Sequence, residues 1–137
     1  MPLLIPTRLA SSPIHGLGLF AGEPVAAGTA VWRFDPRVDR LFAPDDALLD
    51  EFPQLSRLVD FHGCVIDGVG ILLPGDDARF LNHADDASIG RADAGDWRMF
   101  VARRAIAAGE EITCNYEDIC ADVRDAGAAL YLSGGTT

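Results

Sequence analysis

The chain has 137 residues, of which 49% are hydrophobic and 23% are charged, and its formal net charge is −10. This length suits a single domain, and the apolar content is high enough to exclude general disorder. The acidic charge disfavours direct binding of nucleic acid or of anionic membranes and favours cationic partners such as lysine-rich or arginine-rich peptides, although acidity alone often serves solubility. All eleven basic residues are arginine.

The three cysteines, Cys64, Cys114 and Cys120, form no C-x-x-C pair, and their number is odd. A disulfide framework and a zinc knuckle are therefore disfavoured. The N-terminus has no basic segment before a long apolar run, and no uninterrupted apolar stretch reaches about eighteen residues. We expect a soluble, cytoplasmic protein without a bound metal.

The first 36 residues are predicted to form short strands at Leu3–Ile5, Gly18–Ala21 and Ala30–Phe34, because intervening proline and glycine residues would interrupt a helix. Residues 44–60 carry apolar side chains at a spacing of three to four, which predicts one or two short helices divided at Pro53. The remaining predicted elements are strands at Cys64–Asp67, Ile71–Leu73 and Trp97–Arg103, a loop-like stretch at Asp76–Asp96, a helix at Ile119–Leu132 and a frayed tail at Gly134–Thr137.

The segments Pro24–Val31 and Ala105–Ile112 share an aliphatic-Ala-Ala-Gly-x-x-aliphatic pattern. Two copies are too few for a solenoid, but they predict two similar strand-turn-strand corners in a β-rich fold. A doubly wound α/β sheet is disfavoured. Gly16–Ala21 also matches a loose dinucleotide-binding pattern, which requires a helix to follow, whereas Gly22 and Pro24 would break one. Its paired glycines indicate either a tight turn or a close approach of backbone to a ligand.

Two other segments have ordinary structural explanations when each is taken alone. Asn82 and His83 would form a turn pair, and Tyr116 would pack at the end of a strand. The acidic residues between Asp76 and Asp96 lack the spacing of an EF-hand loop, and the three histidines lack that of a helical zinc pair.

In their order and spacing, these segments resemble the SET-domain family of protein-lysine methyltransferases. Ser12–Ala21 resembles the opening G-x-G strand of the family, and Val25–Val31 resembles the corner that follows it. Val65–Gly68 stands where the family's V-D-A strand lies. Arg79–His83 is similar to the R-F-I-N-H motif, and Ala102–Tyr116 is similar to the closing segment that contains G-E-E-L-T-x-D-Y.

The resemblance implies a mainly β fold with short helices, the SET-domain β-clip, in which the C-terminal segment threads a loop in a pseudoknot-like manner. We expect a single SET domain over residues 1–137. Its expected parts are N-terminal strands (1–34), a variable helical insert (35–63), a signature core (64–116) and a C-terminal helix and tail (117–137).

The implied cofactor is S-adenosylmethionine, with Tyr116 as the catalytic residue that orients the amine and the methyl group. Arg79 is expected to support the loop without touching the cofactor, and Cys114 and Tyr131 are expected to line the substrate channel. The residues that the resemblance assigns to the cofactor are His15, Gly16, Leu17, Gly18, Asn82, His83 and Tyr116.

Departures from the family pattern qualify these expectations. After His83 the usual S-C-x-P-N continuation is missing, and so is the cysteine-rich segment that normally follows the tyrosine. The segment Ile119–Leu132 is expected to cover the channel in its place. Asn115 replaces the commoner aspartate, and Cys114 stands where relatives often carry an aromatic residue that limits methylation, so di- or trimethylation is expected.

The sequence therefore predicts transfer of a methyl group from S-adenosylmethionine to the lysine amine of a basic protein or peptide. Two alternatives remain open. One is a catalytically weak SET-like module that binds a peptide with or without the cofactor, and the other is a β-clip domain that has lost its cofactor pocket and serves as an interaction surface.

Overall fold

The computed structural model describes residues 2–66, 69–93 and 96–119. Within these ranges the chain forms mainly short strands, together with three helices of ten residues or fewer and one 3-10 helix, Asp77–Phe80. The helices are α1 (Ala47–Glu51), α2 (Pro53–His62) and α3 (Tyr116–Ile119). The strands are β1 (Thr7–Ser11), β2 (Leu17–Ala21), β3 (Ala30–Arg33), β4 (Arg40–Phe42), β5 (Cys64–Ile66), β6 (Gly70–Leu73), β7 (Asn82–His83), β8 (Ile89–Asp93), β9 (Asp96–Ala102) and β10 (Glu111–Cys114).

The strands form three small sheets, with the orders β1-β2-β10-β7, β3-β9-β8 and β4-β6-β5. All neighbouring strands in the described residues are antiparallel except β7 and β10, which are parallel. The sheet that contains β2, β10 and β7 therefore joins one segment from near the N-terminus with two from the second half of the chain. This sheet carries most of the residues that the sequence assigns to the site.

One hydrophobic core takes side chains from all three sheets, and a smaller cluster lies against α2. In the main core Leu19, Ile89, Ile106 and Ile112 are at most 1% exposed. Burying a side chain of this size stabilises a fold by roughly 1.5–3 kcal/mol, so these strands hold each other in place through their inward faces. The smaller cluster is formed by Phe42, Val59 and Ile71.

The two corners that share a sequence pattern are paired with each other across an approximate twofold relation. Val25 and Ile106 exchange two backbone hydrogen bonds of 2.8 Å. Gly28 and Gly109 have φ values of 84° and 82°, so each corner turns through the left-handed region. The matching backbone bonds are Gly28 N to Ala102 O, Gly109 N to Ala21 O, Ala102 N to Thr29 O and Ala21 N to Glu110 O.

Most of the predicted elements are confirmed, including the two helices separated at Pro53, which is the first residue of α2. Two predictions are wrong. Leu3–Ile5 is not a strand, since only Leu3 forms an isolated bridge, and the stretch Asp76–Asp96 is not a loop, because it contains the 3-10 helix, β7 and β8. The strands β1 and β4 were not predicted.

The mainly β fold with short helices is confirmed, whereas the threading of the C-terminal segment stays a prediction. Apart from Ile119 at the end of α3, the predicted helix Ile119–Leu132 lies outside the described residues, and so does the tail. No helix in the described ranges combines the length and the apolar character that spanning a membrane requires.

Candidate functional site

The central sheet brings the three sequence motifs side by side. In β10, Ile112 lies opposite Leu19 of β2, and Thr113 lies opposite Asn82 of β7. The G-x-G segment, the Asn-His pair and the closing segment before Tyr116 are therefore neighbours in space, although more than sixty residues separate the first from the other two.

The loop before β2 is held by the side chain of Asn82. Asn82 is 7% exposed, and its Nδ2 donates to the carbonyl oxygens of His15 (3.1 Å) and Leu17 (3.2 Å) and to a carboxylate oxygen of Glu111 (2.9 Å). The carboxylate of Glu111 also lies within 2.9 Å of the Ser12 hydroxyl, which donates to it. No described residue donates a hydrogen bond to Asn82 Oδ1.

The two glycines of the G-x-G segment have different roles. Gly16 has a φ of 46° and nothing lies within 4 Å of the position of a Cβ, so its backbone is open to a ligand. Gly18 is buried, and a Cβ there would overlap the carboxylate of Glu111. The first glycine therefore permits the turn, while the second makes room for the carboxylate beneath the loop.

His83 connects the Asn-His pair to the tyrosine. Its Nδ1 accepts a hydrogen bond from the backbone N–H of Tyr116 (3.0 Å), so in the neutral ring the proton resides on Nε2, which lies 2.9 Å from a carboxylate oxygen of Asp85. Both ring nitrogens are thus occupied. A cofactor contact at His83 would have to use the backbone or the face of the ring.

Tyr116 is half-buried at the start of α3. Its hydroxyl donates to the carbonyl of Leu81 (3.1 Å), and its ring lies 5.1 Å from that of His83. The phenol therefore acts as a hydrogen-bond donor. Hydrogen bonds at the backbone N–H and at the hydroxyl of Tyr116 fix the position of the ring.

A cavity with about 810 Å³ of empty space, part of it open to solvent, extends from Tyr116 toward α2. Trp32 and Phe100 lie at its inner wall, and Phe61 of α2, which is 61% exposed, lies at its rim. The other residues that line it are His62, Gly63, Cys64, Leu72, Pro74, Ala78, Arg79, Leu81, Ile89, Trp97 and Cys114.

Most of this lining is apolar, with a few polar groups at its edges. His62 Nδ1 lies 3.0 Å from the carbonyl oxygen of Arg79, and burial lowers the pKa of His62 below its ordinary value of 6.5. Trp32 Nε1 and Arg79 Nε are buried and have no hydrogen-bond partner among the described residues. The cavity therefore favours neutral groups over charged ones.

The predicted site residues fall into three groups. The segment from His15 to Gly18 lies next to Asn82, and His83 lies beside Tyr116. Cys114 lines the same cavity as Tyr116, with its Sγ 3.8 Å from the carbonyl oxygen of Asn82. Tyr131 lies outside the described residues, as do Asp67 and Gly68 of the predicted V-D-A strand.

The sequence did not reveal the contribution of Glu111, although it is the second acidic residue of the G-E-E segment. A strand residue of this kind usually faces solvent. Glu111 lies opposite Phe20, and its carboxylate reaches the space above Gly18 and the side chain of Asn82. The polar atoms of Trp32 and Arg79 at the cavity wall were also unexpected. No group of three or more potential metal-ligating side chains occurs in the part of the chain that the structure describes.

Comparison with known proteins gives one family match and several similar structures. The model of the SET domain matches residues 16–117, which is more than half of the chain. None of the curated proteins compared with the chain matches it significantly.

Among solved structures, the Chaetomium thermophilum Polycomb Repressive Complex 2 bound to the inhibitor GSK126 is similar with a TM-score of 0.63 and 25% identity, over 92% of this chain and 18% of that chain. The Chaetomium thermophilum complex in an autoinhibited conformation, bound to S-adenosylmethionine, has a TM-score of 0.60 and 26% identity. This match covers 82% of this chain and 15% of that chain. The Neurospora histone lysine methyltransferase DIM-5 has a TM-score of 0.57 and 17% identity, over 84% of this chain and 53% of that chain. This similarity concerns the fold alone.

The chain thus spans less than a fifth of the polycomb chains and about half of the DIM-5 chain. The similar region nevertheless includes the three motifs that meet at the central sheet. On the match over residues 16–117, the chain belongs to the SET-domain family.

Proposed function

We propose that this chain transfers a methyl group from S-adenosylmethionine to the lysine side-chain amine of a basic protein or peptide. The observation that carries the proposal is that the G-x-G loop, Asn82 and the segment leading to Tyr116 meet through the neighbouring strands β2, β7 and β10. Family membership supports a methyltransferase of the lysine type, and one similar structure contains S-adenosylmethionine.

The residues around the loop fit this cofactor. The carbonyl oxygens of His15 and Leu17 both lie within 3.2 Å of Asn82 Nδ2, and a pair of acceptors of this kind suits the ammonium group of the cofactor's methionine portion. The exposed backbone at Gly16 allows close approach. His15, Gly16, Leu17, Gly18, Asn82 and His83 would hold the cofactor, which supplies an activated methyl group on a sulfonium centre.

The lysine amine must be neutral to accept a methyl group, and at pH 7 neutralising an ordinary lysine costs about 4–5 kcal/mol. The apolar lining of the cavity next to Tyr116 lowers this cost, since burial disfavours the charged ammonium form. Tyr116 is a poor base, because a phenol has a pKa of about 10 and its hydroxyl already donates to Leu81. It orients the amine instead, and the proton leaves to water.

The charge of the molecule is consistent with a basic substrate. A net charge of −10 attracts lysine-rich and arginine-rich segments and raises their local concentration at the surface. This attraction is not specific to one sequence, so it supports a class of substrate and not a particular protein.

The proposal is tested by incubating the protein with S-adenosylmethionine carrying a tritiated methyl group and with a cell lysate, followed by identification of the labelled protein. We expect label on lysine residues of one or a few basic proteins. Binding of the cofactor without any transfer would favour the alternative, a peptide-binding module of low activity. Absence of both binding and transfer would contradict the proposal.

A further inference from the structure

We infer that Glu111 is a positioning residue, whose carboxylate holds the loop 12–17 in the conformation that binds the cofactor. The inference rests on the proposed function, since it concerns the same loop. It assigns a role to a residue on β10 that contacts the loop through Ser12 and through Asn82.

The first contact fixes the start of the loop. Oε1 and Oε2 of Glu111 lie 2.8 and 2.9 Å from Ser12 Oγ, which in turn accepts a hydrogen bond from the backbone N–H of Ile14 (3.0 Å). The Ser12 hydroxyl therefore donates its hydrogen bond to the carboxylate, and the lone pairs of Ser12 Oγ remain free to accept from the backbone of the turn. The backbone of the loop closes on itself through Ser12 N and the carbonyl of Gly16 (2.8 Å).

The second contact fixes the orientation of the Asn82 amide. Nδ2 carries two protons and has three acceptors within 3.2 Å, one of which is the negatively charged carboxylate of Glu111. Hydrogen bonds to charged groups are the stronger ones, so the carboxylate favours the orientation in which Nδ2 points to the loop carbonyls. Oδ1 is then directed away from them and remains available to the cofactor.

The distribution of burial shows why the loop depends on this carboxylate. His15, Gly16 and Leu17 are exposed, whereas Asn82 is buried and Glu111 is half-buried. A loop without a buried side chain of its own is held only by its hydrogen bonds. Gly18 is consistent with the same role, because any larger residue there would displace the carboxylate.

If Glu111 acts in this way, its loss lowers the fraction of molecules whose loop is ready to bind, and the apparent cofactor affinity falls by that fraction. Chemistry at saturating cofactor would change little. A role limited to folding would instead lower stability and leave the affinity of the folded protein unchanged.

The test is the substitution Glu111→Gln, which keeps the size of the side chain and removes the charge. Calorimetric titration with S-adenosylmethionine is expected to give a Kd raised by about tenfold or more, with kcat at saturating cofactor changed by less than about threefold. Ser12→Ala, which removes one contact from the other end, is expected to raise Kd in the same direction by a smaller factor.

Glu110→Gln is the matched control, because it makes the same chemical change one residue earlier. The Glu110 carboxylate accepts from the backbone N–H of Ala107 and does not contact the loop. The Kd of Glu110→Gln for S-adenosylmethionine should therefore equal that of the wild type. Urea unfolding of each variant separates affinity from stability. If Glu111→Gln does not fold, Ser12→Ala decides the outcome.

Equal Kd values for the wild type, Glu111→Gln and Ser12→Ala would overturn this inference while leaving the proposed function intact. A fall in kcat with unchanged Kd would overturn it as well. If the wild type itself does not bind S-adenosylmethionine, the proposed function fails, and the inference fails with it.

Discussion

Within the described part of the chain, Tyr116 is held by hydrogen bonds to two residues of one short segment. His83 accepts from its backbone N–H, and the carbonyl of Leu81 accepts from its hydroxyl. The ring therefore has a defined position even before a substrate enters. Since the hydroxyl is the part that would face an amine, its removal should affect catalysis more than binding.

We predict that Tyr116→Phe keeps the cofactor affinity of the wild type and lowers turnover by about 100-fold or more. The ring remains to pack against His83, while the group that orients the amine is lost. Labelled methyl transfer measures turnover, and calorimetry measures the affinity. Unchanged turnover would contradict the role assigned to the hydroxyl.

The size of Cys114 leads to a prediction about the product. This residue lines the cavity together with Tyr116, and a thiol side chain leaves more room for a methylated amine than an aromatic ring would. We therefore expect di- or trimethyllysine, which mass spectrometry of the labelled substrate would detect. Product that stops at monomethyllysine under excess cofactor would show that another group limits the space.

At the scale of the elements, strands with an alternating or continuous apolar pattern could be predicted from the sequence, and strands without such a pattern could not. β2, β3 and β9 contain alternating or continuous apolar residues, which identify them. β7 consists of only Asn82 and His83, and its pairing with β10 depends on contacts distant in the chain, which no local pattern records. The same is true of the register that places Glu111 under the loop.

The repeated corners allow a matched pair of stability predictions. Gly28 and Gly109 have nearly the same positive φ, and a Cβ at either position would meet nothing within 4 Å. The cost of Gly28→Ala and of Gly109→Ala is therefore set by the backbone conformation alone, about 1–2 kcal/mol each. Urea unfolding should give similar losses for both variants. A loss confined to one of them would show that the two corners are not equivalent.

At the scale of the whole molecule, the family and the candidate site could be predicted because the motifs occur in a fixed order along the chain. The acidic charge and the length excluded other classes of protein but did not indicate this one. What the sequence could not show is the cavity between Tyr116 and α2, since its lining residues come from elements spread across the chain.

The stability of the whole domain should depend on pH through His62. Because burial lowers the pKa of His62 in the folded protein, the unfolded chain binds more protons between that value and 6.5. The free energy of unfolding therefore rises with pH through this window, and stability is lost as the pH falls below about 6.5. His62→Asn retains an N–H donor for the carbonyl of Arg79 and removes the titration. The free energy of urea unfolding of His62→Asn should vary less between pH 5 and pH 7 than that of the wild type. An equal pH dependence of the two proteins would contradict the role of His62 in this change of stability.

The central claim is that three segments distant in the chain form one binding site for a sulfonium cofactor. Calorimetric titration of the wild-type protein with S-adenosylmethionine tests it most directly. We predict saturable binding of one molecule per chain, weakened by Asn82→Ala, because the Asn82 side chain joins the loop to the sheet. A titration without a binding heat, confirmed by equilibrium dialysis with labelled cofactor, would contradict the account.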